Sequence, residues 1–141
     1  MLIDVIATPV ISNGHSYLKI KIPIVVGHIL PSHQAKVKRV NALWDTGATN
    51  TSIPMHTAEL LGIPLREETA TQQATSEGSA RFCTFHLFFP DGRIVRIDDG
   101  NAVPGLRTGL IIGIDLISRG TSTITPLSNG AVRLTFKLTS E

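Results

Sequence analysis

Residues 42 to 54 read Ala-Leu-Trp-Asp-Thr-Gly-Ala-Thr-Asn-Thr-Ser-Ile-Pro, and this stretch concentrates the chain's candidate chemistry. An apolar run, Ala42 to Trp44, delivers Asp45 to a strand-to-turn boundary. A carboxylate backed by apolar side chains is costly unless it is hydrogen-bonded, paired or protonated. Asp45 therefore either caps something or is held for acid–base work. Gly47 lets the backbone pass close to the carboxylate, so its N–H and that of a following residue are expected to donate to it. Asp-Thr-Gly on its own also fits a simple turn.

A second run, Leu110-Ile111-Ile112-Gly113-Ile114-Asp115-Leu116, is an apolar strand that stops at a glycine and enters a short helix. The remaining carboxylates fit poorly as partners for Asp45. Asp98-Asp99-Gly100 lacks the apolar approach and the threonine and reads as a turn, while Asp115 reads as the cap of the second helix. His56 and Glu59 share a helical face, but no third ligand has matching spacing, so no metal and no other cofactor is expected. Cys83, between Phe82 and Phe85, reads as a structural or surface thiol. Trp44 reads as packing at a core or interface. Phe82, Phe85, Phe88 and Phe89 read as core, because no basic groove accompanies them for stacking nucleic acid.

Strand signals dominate the elements that must position these groups. Leu18, Ile20 and Ile22 alternate with Lys19 and Lys21, and Leu134, Phe136 and Leu138 alternate with Arg133, Thr135 and Lys137, each pattern predicting a half-buried ribbon. From Arg81 to Ile97, two apolar runs flank Pro90-Asp91-Gly92 and predict a hairpin. Lys36, Lys38 and Arg39 fit the solvated face of a strand. Helices are short: one opens at Pro54, carries Met55, Ala58, Leu60 and Leu61, and closes at Gly62. The other spans Ile114 to Ser118. His28 to Gln34 and the polar run Glu67 to Ala80 read as mobile loops. The sum is an all-β fold, a closed barrel or sandwich, and not a parallel α/β sheet.

With 42% apolar residues over 141 positions, a single domain, 1–141, has enough material for a core without metal or disulfide staples. One cysteine excludes an intramolecular disulfide framework and fits a reducing, cytoplasmic setting. The start, MLIDVIATPV, lacks the basic and apolar character of a signal peptide. No stretch is apolar enough to span a bilayer, and a formal net charge of +2 without like-charge blocks nominates neither nucleic acid nor membrane as a partner.

The paired motifs and their order resemble those of the retropepsin family of aspartic proteases. In that family an apolar-apolar-DTGA strand is followed, after a flap hairpin, by an apolar-apolar-Gly strand and a helix. The resemblance runs from about residue 17 to 138. It implies a closed β-barrel with a flap and one or two short helices, Asp45 as the catalytic carboxylate, and Thr46 as a hydroxyl reaching across a dimer. It also implies that Gly47 and Ala48 offer backbone groups to substrate beside Thr49. The run Thr75 to Ala80 falls at the flap tip, with Glu77, Gly78 and Ser79 over bound peptide. Aspartic proteolysis needs two carboxylates sharing a proton, and this chain has one DTG. The resemblance therefore implies a homodimer with the site on its axis, cleaving an extended peptide or protein substrate. The alternative is the same fold as an inactive peptide-binding or dimerisation module.

The chain departs from retroviral members at several points. Thr49 stands where those often have Asp, and Ile114 where they have Arg, so an ion pair expected there is missing from both sides. The flap has a single glycine, and there is extra length before Leu18. Ala48 brings no hydroxyl to the catalytic pair, so the pair is expected to keep its shared proton to higher pH than a Ser or Thr version would.

Overall fold

Alternating apolar residues dictate strands throughout, and glycine and proline keep them short. The computed structural model describes residues 2–69 and 78–139. In chain order they form β1 Ile3–Ala7, β2 Val10–Ser12, β3 His15–Tyr17, β4 Lys21–Ile29, β5 Ala35–Trp44, β6 Ser52–Pro54, α1 Met55–Leu60, β7 Leu65–Glu68, β8 Arg81–Phe88, β9 Ile94–Val103, β10 Leu110–Ile112, α2 Ile114–Ile117, β11 Gly120–Pro126 and β12 Val132–Leu138.

Six strands run in the order β4-β5-β10-β6-β9-β8, and β8 pairs back onto β4, closing a barrel; β7 extends the sheet beyond β8. The closure uses Val25, Val26 and Gly27 opposite Phe88, Leu87 and His86. The barrel is mixed, because β10 lies parallel to β5, and β6 parallel to β9, while the other pairings are antiparallel. A three-stranded sheet, β1-β12-β11, and the small hairpin β2-β3 complete the topology. No helix among the described residues is long and apolar enough to cross a membrane.

The barrel interior is filled by Val26, Ile53, Phe85, Leu87, Ile97, Leu110 and Ile112. Each contributes about 1.5–3 kcal/mol by leaving water. Leu134 and Phe136 are equally buried and bind the terminal sheet to this core. The predicted alternation in β12 is present, as is the 81–97 hairpin, whose turn is closed by Phe89 N–H to Arg93 O and Gly92 N–H to Phe89 O.

Three expectations are corrected. Leu18 lies outside any strand and is 39% exposed; the buried alternation starts at Ile20 and continues through Ile22, Ile24 and Val26. His28 and Ile29 end β4 instead of opening a loop, and the connection to β5 is a tight turn in which Leu30 N–H donates to Gln34 O and His33 N–H to Leu30 O. Asp98-Asp99-Gly100 is not a turn but part of β9, at a register shift against β8. The glycine serves packing there: a Cβ on Gly100 would lie 2.3 Å from Cε1 of Phe85, so its absence makes room for that buried ring.

Candidate active site

Asp45 follows the last residue of β5 and is held from both sides. Its N–H donates to Ile112 O (3.0 Å) on β10, and the preceding Trp44 N–H donates to Ile20 O (2.9 Å). Trp44 is buried, with its ring edge-on to Phe136 at 5.3 Å and 63°, so the core anchors the strand end that presents the carboxylate. Asp45 itself is half-buried, and Gly47 N–H donates to its Oδ1 at 2.9 Å. The second expected donor goes elsewhere: Ala48 N–H bonds the main-chain oxygen of Asp45 (3.2 Å), closing the turn.

The loop is then tied to the β10–α2 junction. Ile114 N–H donates to Ala48 O (2.8 Å) and Asp115 N–H to Thr49 O (3.2 Å). Gly113 makes this approach possible, since a Cβ there would lie 2.7 Å from Asn50 C and 2.9 Å from Ala48 O. Asp115 corrects the sequence reading. The N-cap position of α2 is Gly113, without a side-chain cap, and Asp115 sits in the first turn. Its carboxylate accepts both donors of Thr51, the N–H at 3.0 Å and Oγ1 at 2.7 Å, while Gly113 N–H donates to Thr51 Oγ1 at 3.1 Å. Thr51 is fully buried, so this is where a buried polar group demands partners. Sequence reasoning missed the pair, because Thr51 looks like one more polar loop residue and Asp115 lies 64 positions away.

Among the other candidates, Thr46, Gly47 and Thr49 are exposed on the loop and Ala48 is half-buried. Gly78 is exposed with φ +133°, its missing Cβ facing Pro104, and Ser79 is half-buried. Glu77, with Thr75 and Ser76, lies outside the described residues. At the base of the expected flap, Thr69 N–H donates to Ala80 O (3.0 Å) and Glu68 pairs with Arg81, so the two arms run antiparallel.

The remaining carboxylates are engaged elsewhere: Asp98 with Arg96, Asp99 with Arg66, Asp115 with Thr51. His56 and Glu59 lie exposed on α1, and no group of three or more potential metal ligands occurs among the described residues. Cys83 is wholly buried, and that burial pushes its thiol up to about 12, away from nucleophilic chemistry.

A family model described as aspartyl protease matches residues 34–87, the segment holding Asp45 and its loop. A retropepsin-like aspartic protease from Rickettsia conorii has a similar structure, with TM-score 0.51 at 16% identity, covering 93% of this chain and 89% of that one. The retroviral protease-like domain of Ddi1 from Leishmania major gives TM-score 0.47 at 20% identity, covering 84% of this chain and 96% of that one. No curated protein matches the sequence. This chain has a retropepsin-like fold, and the aspartyl protease match falls on the segment that carries Asp45.

Proposed function

We propose that this chain, 1–141 acting as one domain, is an aspartic endopeptidase whose active site forms when two copies bring their Asp45 carboxylates together. One observation carries the reading. Asp45 is presented at a strand end by a braced loop, and no hydrogen bond or ion pair links it to another carboxylate among the described residues. A single carboxylate cannot both activate water and protonate a carbonyl, so the second must come from a second copy on a two-fold axis.

In the dimer the Asp45 pair holds one proton. The ionised member takes a proton from water as the water oxygen attacks the scissile carbonyl carbon, and the protonated member donates to the carbonyl oxygen. Collapse of the resulting diol breaks the C–N bond as the amine nitrogen gains a proton, releasing an acid and an amine. Exposed Thr46 reaches the partner's loop. Backbone groups of Gly47, Ala48 and Thr49, together with those of Glu77, Gly78 and Ser79, pair with an extended peptide as an added strand.

The test is cleavage of a mixed peptide library at mildly acidic pH beside Asp45→Asn, with association followed by sedimentation. Cleavage by a dimer, abolished in the variant and blocked by a statine-type transition-state mimic, is the expected result. A stable dimer that cleaves nothing and ignores the mimic overturns the proposal in favour of a peptide-binding module.

A further inference from the structure

A second cleft, of about 280 Å³, opens between β4, β7, β8 and β9, lined by His28, Pro64, Arg66, Thr84, His86 and Arg96. Strand register puts Thr84, His86 and Arg96 on one face, with His86 opposite Arg96 across the β8–β9 ladder; His28 follows Gly27, the residue opposite His86 across the β4–β8 seam, and lines the cleft from the end of β4. Arg66 joins from β7 by donating to Thr84 Oγ1 at 2.7 Å.

The cluster is rich in donors and poor in acceptors. Nδ1 of His28 and Nδ1 of His86 are both buried without a hydrogen-bond partner among the described residues, and a buried polar atom of this kind asks for a physical explanation. Arg96 gives only its Nε to Asp98 (2.6 Å) among the described residues, and Arg66 gives Nη2 to Asp99 (2.8 Å) and to Asp98 O (2.9 Å). A guanidinium carries five N–H groups, so both have donors to spare. No carboxylate lines the cleft, and those of Asp98 and Asp99 are 61% and 72% exposed at its margin. A metal ion would find two imidazoles and two cations, a poor site. A group that only accepts hydrogen bonds and carries negative charge fits all of these features.

We propose that this cleft is an oxyanion site for a phosphate-class group held by His28, Arg66, His86 and Arg96. The inference stands apart from the protease reading, since none of these residues belongs to the Asp45 loop. Its volume admits a phosphate with part of the molecule that bears it, so free phosphate and a phosphorylated peptide are the two sources to separate. The site is also pH-dependent. In the empty cleft, burial first, then His28 and Arg96, hold His86 below the ordinary imidazole range against the pull of Asp98; Arg66 adds a further positive charge from β7. A bound anion reverses that balance and favours the imidazolium, so affinity rises as pH falls.

The experiment titrates the full chain with inorganic phosphate, with sulfate and with a phosphoserine peptide at constant ionic strength, against chloride. Thermal midpoint and histidine imidazole resonances are the readouts. Expected are a saturable rise in midpoint, shifts of His28 and His86 in step with it, and tighter sulfate binding at about pH 6 than at about pH 8. Arg96→Gln, at an exposed side chain, weakens binding about tenfold, and His86→Gln does so comparably. A phosphopeptide binding more tightly than inorganic phosphate marks the source as a phosphorylated protein, and the reverse order marks it as free phosphate. Phosphate and sulfate behaving like chloride, Arg96→Gln titrating like the parent, or zinc moving both imidazoles where oxyanions do not, would each overturn the proposal.

Discussion

Replacing Thr51 with valine keeps the shape of the side chain and removes the oxygen at the centre of the loop clamp. The hydroxyl donates to the Asp115 carboxylate at 2.7 Å and accepts from Gly113 N–H at 3.1 Å, at a residue with no solvent exposure. A hydrogen bond to a charged group contributes about 1.5–3 kcal/mol, and a buried N–H left without its acceptor costs about 1–3 kcal/mol more. The expected loss is therefore about 2.5–6 kcal/mol, a large share of the roughly 5–15 kcal/mol that stabilises an ordinary domain. At about 2–4 °C per kcal/mol, the thermal midpoint should fall by about 10 °C. Urea unfolding at fixed protein concentration measures it, with the slope unchanged and the midpoint lowered. Thr51→Ser, which keeps the hydroxyl and drops a methyl group, should cost only about 1 kcal/mol. A Thr51→Val loss below about 1 kcal/mol, or a Thr51→Ser loss just as large, would refute the clamp.

Three further outcomes are expected. Cys83, buried and with its thiol pushed up to about 12, should resist disulfide reagents in the native protein and react at the rate of unfolding; immediate labelling without denaturant would contradict its placement. The hydrogen bond from Arg133 holds the Asp4 carboxyl below its ordinary range. Its contribution is present above the unfolded-state value and lost as pH falls through the folded one, so Asp4→Asn should be slightly less stable near neutrality and equal to the parent in strong acid; a gap that persists in acid would assign it to something other than the charge. Ala48→Ser, by adding a hydroxyl beside the proposed Asp45 pair, should move the pH optimum of cleavage downward, and an unchanged profile would reject that role for position 48.

Local chemistry was legible in the sequence. Pro54 and Gly62 bracket α1, the 90–92 turn joins β8 to β9, and Asp45 stands where an apolar strand ends at a glycine-bearing turn. What escaped depends on residues far apart in the chain. The Asp98–Gly100 segment is part of a strand with a register shift, where the glycine leaves room for the Phe85 ring on the neighbouring strand. The barrel closes through the β4–β8 seam, which no periodicity announces. Strand β10 has only three residues, yet it lies between β5 and β6 and carries the junction that holds the Asp45 loop.

That junction also has a consequence for the order of events in folding. Asp45, Ala48, Thr49 and Thr51 are bonded to Ile112, Ile114 and Asp115, all more than sixty positions later. Closing a loop of that length costs about 4 kcal/mol of chain entropy before any of the bonds can repay it. The Asp45 loop is thus a late-forming part of the molecule, at the slow end expected for contacts of high sequence separation. On the ribosome, a growing chain exposes Asp45 well before it has synthesised the segment that gives the aspartate its geometry, so topology itself delays the assembly of this loop until the barrel is almost complete.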